Sequence, residues 1–245
     1  MDLSAPANHQ QVVPWAWIKC VRDLTDPNRN SSKEPSELPV AILPWLMLSD
    51  RKNVMNMANL KRLGVTHILS VNGATPIEEQ VFQERLLGTG IVHKRVFGND
   101  SEDYDMVGRH WQECHEFLRK VKDQDGGRVV VHCVAGINRS GLIACAAHMV
   151  LERESVLNVV RSCVSCRGMV LWNRSFQEQL CRLAVKEHLL GDKPIGYNDE
   201  PIVEVTPPPP PAHEKLQLPE LKFFLSSHLS ARQKRLSEGS TSEEW

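Results

Sequence analysis

Residues 128 to 141 read Arg-Val-Val-Val-His-Cys-Val-Ala-Gly-Ile-Asn-Arg-Ser-Gly, and they carry the strongest structural signal in the chain. The β-branched run Val129 to Val131 has the composition of a buried strand, whereas Leu142 to Leu151 is apolar on all sides, as in a buried helix. The segment from Cys133 to Arg139 is therefore predicted to be a strand-to-helix loop. Backbone N–H groups in such a loop, at the positive end of a helix dipole, form an anion site.

The side chains of this loop suit a phosphate ligand. Gly136 permits a tight turn, and the planar fork of Arg139 can bind two phosphate oxygens. The same donors favour a thiolate at Cys133, directly beneath the bound phosphorus. The alternative is a buried structural cysteine, which would require His132, Gly136, Arg139 and Ser140 to fall into this pattern by chance. The predicted phosphate-binding residues are Val134, Ala135, Gly136, Ile137, Asn138 and Arg139.

A thiolate that attacks a phosphate ester needs a general acid to protonate the departing oxygen. The chain has an acidic cluster at residues 99–105, directly after the strand-like stretch 91–97. Asp100 is the first candidate because it would lie at the mouth of a loop beside the phosphate site, and Asp103 is the second. The other interpretation is a solvated acidic loop that caps the next helix, which applies to some of these carboxylates.

With these residues in place, the chain resembles the dual-specificity subgroup of the protein tyrosine phosphatases over residues 36 to 190. The signature of that family is His132-Cys133-x-x-Gly136-x-x-Arg139-Ser140, and Asp100 occupies the position expected for its general acid. Asn173, Phe176, Gln179 and Leu180 resemble the motif that opens its last helix. Two positions depart from the family pattern: Asn138 replaces the usual Ser, and Trp172 replaces the usual Pro.

The resemblance implies a protein tyrosine phosphatase-like fold and an activity that needs no cofactor and no metal. It implies that Cys133 is the nucleophile, that Arg139 and the loop amides bind phosphate, and that Ser140 eases departure of the sulfur. His132 and Asn173 are expected to support the loop from outside. Asn138 also resembles the cysteine-dependent RNA 5′-triphosphatases of the same superfamily, which leaves a second substrate class open.

The pattern along the chain predicts an α/β fold. Short apolar strands are expected near 40–48, 66–71, 91–96 and 128–132, and helices near 52–63, 76–87, 106–122, 140–152, 155–166 and 174–190. This order predicts a mixed, mainly parallel central sheet with helices on both faces. In such folds ligands bind at the carboxyl ends of the strands.

Three regions are expected. Residues 1–35 are interpreted as a flexible, mostly loose N-terminal arm, with docking through Trp15 and Trp17 as the alternative, 36–190 as the catalytic domain, and 191–245 as a proline-rich linker and tail. The run Pro207 to Pro211 is a stiff spacer or a ligand for an aromatic groove. Residues 219–236 could form an amphipathic helix that binds its own domain or a partner.

Composition places the chain among reduced, intracellular proteins. It has 245 residues, of which 41% are hydrophobic, and a formal net charge of −1. A net charge this close to zero produces no general attraction to nucleic acid or anionic membranes. Seven cysteines without an apolar signal segment indicate free thiols in the cytoplasm, with the nucleus as an alternative. Cys163 and Cys166 have the spacing of a metal or redox pair but lack a second pair, so core packing is favoured and no metal is expected.

The predicted function is hydrolysis of phosphotyrosine and phosphoserine or phosphothreonine in proteins, through a phosphocysteine. A phosphoinositide phosphatase would be expected to have lysines where Val134 and Ile137 stand. An RNA 5′-triphosphatase should surround its site with basic residues, whereas the cluster at 99–105 is acidic. A phosphoprotein-binding module with little activity is the third alternative, and the retention of Cys133, Arg139 and Asp100 argues against it.

Overall fold

The structure, a computed structural model, describes residues 12–30 and 37–199. Within these residues five strands form one sheet in the order β1-β2-β5-β3-β4, in which β1 is antiparallel to β2 and every other neighbouring pair is parallel. The strands are β1 (Val40–Ala41), β2 (Leu46–Ser49), β3 (His67–Val71), β4 (Val92–Val96) and β5 (Val129–His132). The apolar strand β5 lies at the centre, as its composition predicts.

Helices cover both faces of this sheet. Their bounds are α1 (Trp15–Leu24), α2 (Pro27–Asn30), α3 (Arg51–Val54), α4 (Met57–Arg62), α5 (Pro76–Leu86), α6 (Met106–Asp123), α7 (Arg139–Glu152), α8 (Val156–Arg167) and α9 (Arg174–Lys186). Neighbouring residues of a strand point to opposite faces. Accordingly, Val130 of β5 belongs to a small core with residues of α3, α4 and α5, whereas Val129 and Val131 belong to a larger core with residues of α1, α6, α7, α8 and α9. The predicted fold class is confirmed.

The parallel strands place their carboxyl ends at one edge of the sheet. β5 pairs with β2 and β3, so that His132 lies beside Ser49 and Ser70. The loop after β5 begins with Cys133, and the loop after β4 contains Asp100. The topology therefore brings these two loops to the same edge, although 33 residues separate them in the sequence.

Several predicted bounds differ from the structure for local reasons. The stretch predicted as one strand over 40–48 forms β1 and β2, which turn back on each other around Pro44. The helix predicted over 52–63 divides into α3 and α4 because the side chain of Asn56 accepts a hydrogen bond from Asn59 N and starts a new helix. The last helix ends at Lys186 rather than 190, and His188 has a left-handed φ of 58° just beyond it.

The described part of the N-terminal segment packs on the catalytic unit, which differs from the loose arm interpreted over residues 1–35. Helix α1 buries Ala16 and Val21 completely against α8 and α9. The indole Nε1 of Trp17 donates to the carbonyl of Leu190 at 3.0 Å, and Arg22 pairs with Glu178 at 2.7 Å. An apolar stripe on this short helix explains the difference, because burying it stabilises the docked state.

The predicted polyproline run and amphipathic helix lie within residues 200–245, outside the described residues. Residues 191–199 are described, and the hydroxyl of Tyr197 donates to Asp23 at 2.8 Å. Across residues 12–30 and 37–199, no helix has both the length and the apolar character that a membrane span requires.

Candidate active site

Cys133 lies at the carboxyl end of the central strand and directly before the loop that leads to α7. Its side chain is buried, with 1% exposure, yet it is bounded on one side by a polar group. The hydroxyl of Ser140, in the first turn of α7, donates to the Cys133 sulfur at 3.2 Å. A hydroxyl in this position stabilises a negative charge on sulfur more than it stabilises a neutral thiol.

In the loop from Val134 to Asn138 the N–H groups make no hydrogen bond with the described residues, whereas three of the carbonyls accept hydrogen bonds from other segments. Arg51 N donates to the Val134 carbonyl, the Arg167 guanidinium to that of Ala135, and Leu171 N to that of Ile137. The N–H groups of residues 134–138 donate to no described residue. Five backbone donors next to a buried sulfur form the kind of concave anion site that binds a phosphoryl group.

Gly136 adopts a conformation that this loop requires. Its φ is +69°, in the left-handed region, and a Cβ atom at this position would lie 2.6 Å from the carbonyl oxygen of Ser49. The loop therefore packs directly against the end of β2. Any larger residue would push the loop away from the sheet and move its N–H groups.

Arg139 lies at the first position of α7, with its guanidinium beside the loop. One terminal nitrogen donates to the carbonyl of Gly98 at 3.2 Å. The Nε atom is buried, forms no hydrogen bond with the described residues, and lies 3.8 Å from Oδ2 of Asp100. A buried donor without a hydrogen bond is costly unless a ligand completes it, so this nitrogen is suited to a phosphate oxygen.

Asp100 is the acidic residue that the structure brings to the phosphate loop. Its Oδ2 accepts from the amide of Asn138 at 3.3 Å, and its Oδ1 accepts from the amide of Asn173 at 3.2 Å. Asp103 makes no hydrogen bond or ion pair with the described residues, and Asp105 accepts from Gly108 N as the cap of α6. The geometry thus places Asp100, rather than Asp103, beside the loop.

Asn173 lies at the start of α9 and connects three segments. Its side-chain oxygen accepts from Phe176 N at 3.3 Å, which caps the helix, and its amide donates to Asp100. Its own N–H donates to Oδ1 of Asn138 at 3.1 Å. The supporting role expected for Asn173 therefore has a specific target, because its side chain contacts the acid and its backbone contacts the loop.

His132 joins a buried chain of hydrogen bonds that the sequence reasoning missed. Its Nδ1 lies 3.1 Å from the Cys133 carbonyl, and its Nε2 lies 2.6 Å from the hydroxyl of Ser70, which in turn lies 2.8 Å from Nε2 of His93. A carbonyl only accepts, so Nδ1 of His132 carries the proton and Nε2 accepts from Ser70. The hydroxyl then accepts from His93, whose Nδ1 accepts from the amide of Gln83 at 2.7 Å.

This series of hydrogen bonds requires a neutral imidazole at His132. Burial lowers the pKa of His132 to about 4, so the ring is uncharged at neutral pH. Burial also lowers the pKa of His93, with Glu79 opposing the shift. The signal in the sequence was Ser70, a polar residue between the apolar residues Leu69 and Val71 of strand β3, although its partners come from other strands and could not be read locally.

Residues 46–186 match the family model described as Dual specificity phosphatase, catalytic domain. The chain belongs to this family. The dual specificity phosphatase domain so defined includes Asp100, the loop from Cys133 to Arg139, and Asn173. Within the described residues it holds no group of three or more His, Cys, Asp or Glu side chains suited to a metal ion.

The relatives of this dual specificity phosphatase domain are moderately similar in sequence. Dual specificity protein phosphatase 26 of Bos taurus is 32% identical over 146 residues, covering 58% of this chain and 65% of that protein. Dual specificity protein phosphatase 2 of Homo sapiens is 34% identical over 144 residues, covering 58% of this chain and 42% of that protein. The chain thus spans less than two thirds of the length of these curated relatives.

A solved structure shows the same fold. The crystal structure of human DUSP28 aligns with a TM-score of 0.53 and 22% sequence identity, over 65% of this chain and 99% of that chain. This solved structure therefore supports the predicted fold.

Proposed function

We propose that this chain hydrolyses phosphomonoesters in proteins, at phosphotyrosine and at phosphoserine or phosphothreonine, through a phosphocysteine intermediate. One observation carries the proposal: Cys133 lies buried beside a loop whose N–H groups at 134–138 donate to no described residue. Membership in the dual specificity phosphatase family supports the same reaction.

The first step is attack of the Cys133 thiolate on phosphorus. A P–S bond forms while the P–O bond to the alcohol or phenol breaks in line, and the loop amides and Arg139 stabilise the charge on the phosphoryl oxygens. The protonated carboxyl of Asp100 transfers its proton to the leaving oxygen. The placement of Asp100 over the loop, held through Asn138 and Asn173, supports this role.

The second step hydrolyses the phosphocysteine. Asp100, now a carboxylate, accepts a proton from water as the water oxygen attacks phosphorus, and the P–S bond breaks with its electron pair returning to sulfur. The Ser140 hydroxyl, 3.2 Å from the sulfur, stabilises the thiolate that leaves. Each role uses side chains and N–H groups of the chain itself, so the proposed reaction needs no cofactor.

The substrate class follows from charge around the loop. Glu102 and Asp103 are exposed near Asp100 and repel the additional charges of a triphosphate more than those of a monoester. Asn138 does not offer its amide to a longer phosphate chain, because that amide is engaged with Asp100. Both features support a phosphoprotein over a 5′-triphosphorylated RNA.

A two-substrate measurement tests this proposal. A phosphopeptide and a 5′-triphosphorylated RNA are compared with one enzyme preparation at two ionic strengths. We expect a higher kcat/KM for the phosphopeptide than for the RNA. The difference in kcat/KM between the two substrates should shrink at high salt, because salt screens the repulsion of the triphosphate. A preference for the RNA that weakens as salt rises would overturn the substrate class, and absence of turnover on both would support a binding module.

The compartment and partners are part of the same proposal. All seven cysteines are free thiols in the structure, which supports a reducing compartment, the cytoplasm or the nucleus.

The partner that the proposed activity requires is a phosphorylated protein. A trapping experiment with Cys133→Ser keeps the phosphate loop but removes the attack, so that phosphorylated species retained from a lysate can be identified.

A further inference from the structure

The side chain of Asn138 lies where three separate segments meet. Its Oδ1 accepts from the N–H of Trp172 at 2.7 Å and from the N–H of Asn173 at 3.1 Å. Its Nδ2 donates to Oδ2 of Asp100 at 3.3 Å. One amide therefore joins the phosphate loop, the turn before α9 and the loop that carries Asp100.

The orientation of this amide is determined by its partners. The two backbone N–H groups can only donate, so the oxygen of Asn138 must face them. The nitrogen must then face the carboxyl of Asp100, where it donates. Reversing the amide would set its N–H groups against two other donors and its oxygen against a carboxylate, losing all three hydrogen bonds.

Trp172 takes part through its backbone. A proline at this position would have no N–H and could not donate to Asn138. A serine at 138 would present a single oxygen one bond closer to the backbone, which cannot reach the turn and Asp100 together. Asn138 and Trp172, the two departures from the family pattern, thus form one hydrogen-bonded pair.

The turn that presents the Trp172 N–H is held at a second point. Leu171 has a left-handed φ of 57°, which is strained for a residue with a Cβ atom. Its N–H donates to the Ile137 carbonyl at 3.1 Å, and its own carbonyl accepts from Gln177 at 2.6 Å. These bonds maintain the strained turn, so the Trp172 N–H stays in a fixed place relative to the loop.

We propose that Asn138, held by the Trp172 N–H, is a positioning residue that sets the carboxyl plane of Asp100 above the phosphate loop. Asn138 grips one carboxyl oxygen and Asn173 the other. When a phosphoryl group occupies the loop, the Arg139 guanidinium pairs with that ligand. The side-chain amides of Asn138 and Asn173 then remain as the contacts that orient Asp100. The inference rests on the proposed function, because it needs Asp100 to be the general acid.

Leaving-group dependence tests this role. The Asn138→Ser variant is compared with the unaltered chain on a series of phosphate esters that runs from good to poor, alkyl-like leaving groups. We expect kcat/KM for poor leaving groups to fall about tenfold or more, and that for good leaving groups to change little, because only a basic leaving oxygen needs a positioned proton. The inhibition constant of inorganic phosphate should stay within about twofold, since the loop amides are intact.

Two changes at Trp172 separate its backbone from its side chain. Trp172→Ala keeps the N–H, whereas Trp172→Pro removes it. We expect the proline variant to show the same leaving-group profile as Asn138→Ser. The alanine variant should keep the dependence of kcat/KM on the leaving group that the unaltered chain shows. If the proline variant does not fold, Asn138→Asp tests the other end of the contact: it keeps the acceptor for the turn, replaces the donor to Asp100 by a repelling oxygen, and should show the same leaving-group profile as Asn138→Ser.

Asp100→Asn distinguishes failure of this inference from failure of the proposed function. If Asp100→Asn shows no leaving-group dependence, the general-acid assignment itself fails. If it shows the dependence and Asn138→Ser does not, only the positioning role is overturned. Equal losses in Asn138→Ser for good and poor leaving groups, with weakened phosphate inhibition, would also overturn it, since Asn138 would then hold the loop rather than the acid.

Discussion

The hydroxyl of Ser140 and the sulfur of Cys133 are both buried and lie 3.2 Å apart, seven residues from each other in the sequence. The hydroxyl sits in the first turn of α7, so its direction toward the sulfur is set by the helix rather than by a flexible loop. Since this hydrogen bond gains strength when sulfur is anionic, it acts on the steps that form a thiolate. Those steps include the release of sulfur from the phosphocysteine.

Ser140→Ala should therefore slow breakdown of the intermediate more than its formation. A hydrogen bond to a charged group contributes about 1.5–3 kcal/mol, which corresponds to roughly 10- to 150-fold in rate. We expect a pre-steady-state burst of phenolate with an aryl phosphate, followed by slow turnover. Ser140→Thr, which keeps a hydroxyl, serves as the control. An Ala variant without a burst, slowed equally in both steps, would contradict the assignment.

Asp100→Asn and Asp103→Asn form a matched pair in one acidic loop. We expect Asp100→Asn to slow esters with poor leaving groups by about 10² or more and to affect good leaving groups much less. Asp103→Asn should stay within about twofold of the unaltered chain on both, because Asp103 is exposed and makes no hydrogen bond or ion pair with the described residues. Steady-state kcat/KM on the two ester types decides between them. A large, leaving-group-dependent loss of kcat/KM in Asp103→Asn would assign the general acid to Asp103 instead.

Gly136→Ala should disrupt the phosphate loop, and Gly126→Ala provides the control. Both glycines have nearly the same φ, +69° and +67°, but the added Cβ at 136 meets the Ser49 carbonyl whereas that at 126 meets nothing within 4 Å. Gly126→Ala should cost about 1 kcal/mol of stability and leave activity unchanged. Gly136→Ala should cost more and abolish most of the kcat/KM. Chemical denaturation and kinetics of both variants measure this, and equal behaviour would show that the contact with β2 is unimportant.

His132 makes stability depend on pH. Its folded pKa of about 4 lies below the ordinary value of 6.5, so the unfolded chain binds more protons between these values. The contribution is fully present above pH 6.5 and is lost as pH falls toward 4. A shift of this size corresponds to about 3 kcal/mol. Between pH 7 and 4.5 the free energy of unfolding, measured by chemical denaturation, should fall by about 2–3 kcal/mol less in His132→Asn than in the unaltered chain. If His132→Asn and the unaltered chain lost equal free energies of unfolding between pH 7 and 4.5, groups other than His132 would account for the acid sensitivity.

The strand, loop and helix from Arg128 to Gly141 could be predicted from sequence because each part is encoded locally. A β-branched run, a glycine at a tight turn and an apolar segment specify their backbone without help from distant residues. The same holds for the alternation of strands and helices that predicts a parallel sheet with helices on both faces. Errors occurred at ends, as at Asn56, where a single capping side chain divides one predicted helix into two.

The sequence ranked Asp100 ahead of Asp103 but could not decide between them, since both fall in one short loop and spacing along the chain does not fix the geometry of a loop. The tertiary structure places only Asp100 against Asn138 and Asn173, which are 38 and 73 residues away along the chain.

The buried chain through Ser70 and His93 likewise depends on strands β3, β4 and β5 meeting in one sheet. Sequence by itself therefore determined the local chemistry of the phosphate loop and the class of fold. Packing decided which distant side chains reach that loop, because hydrogen bonds between remote segments depend on how the sheet brings its loops together.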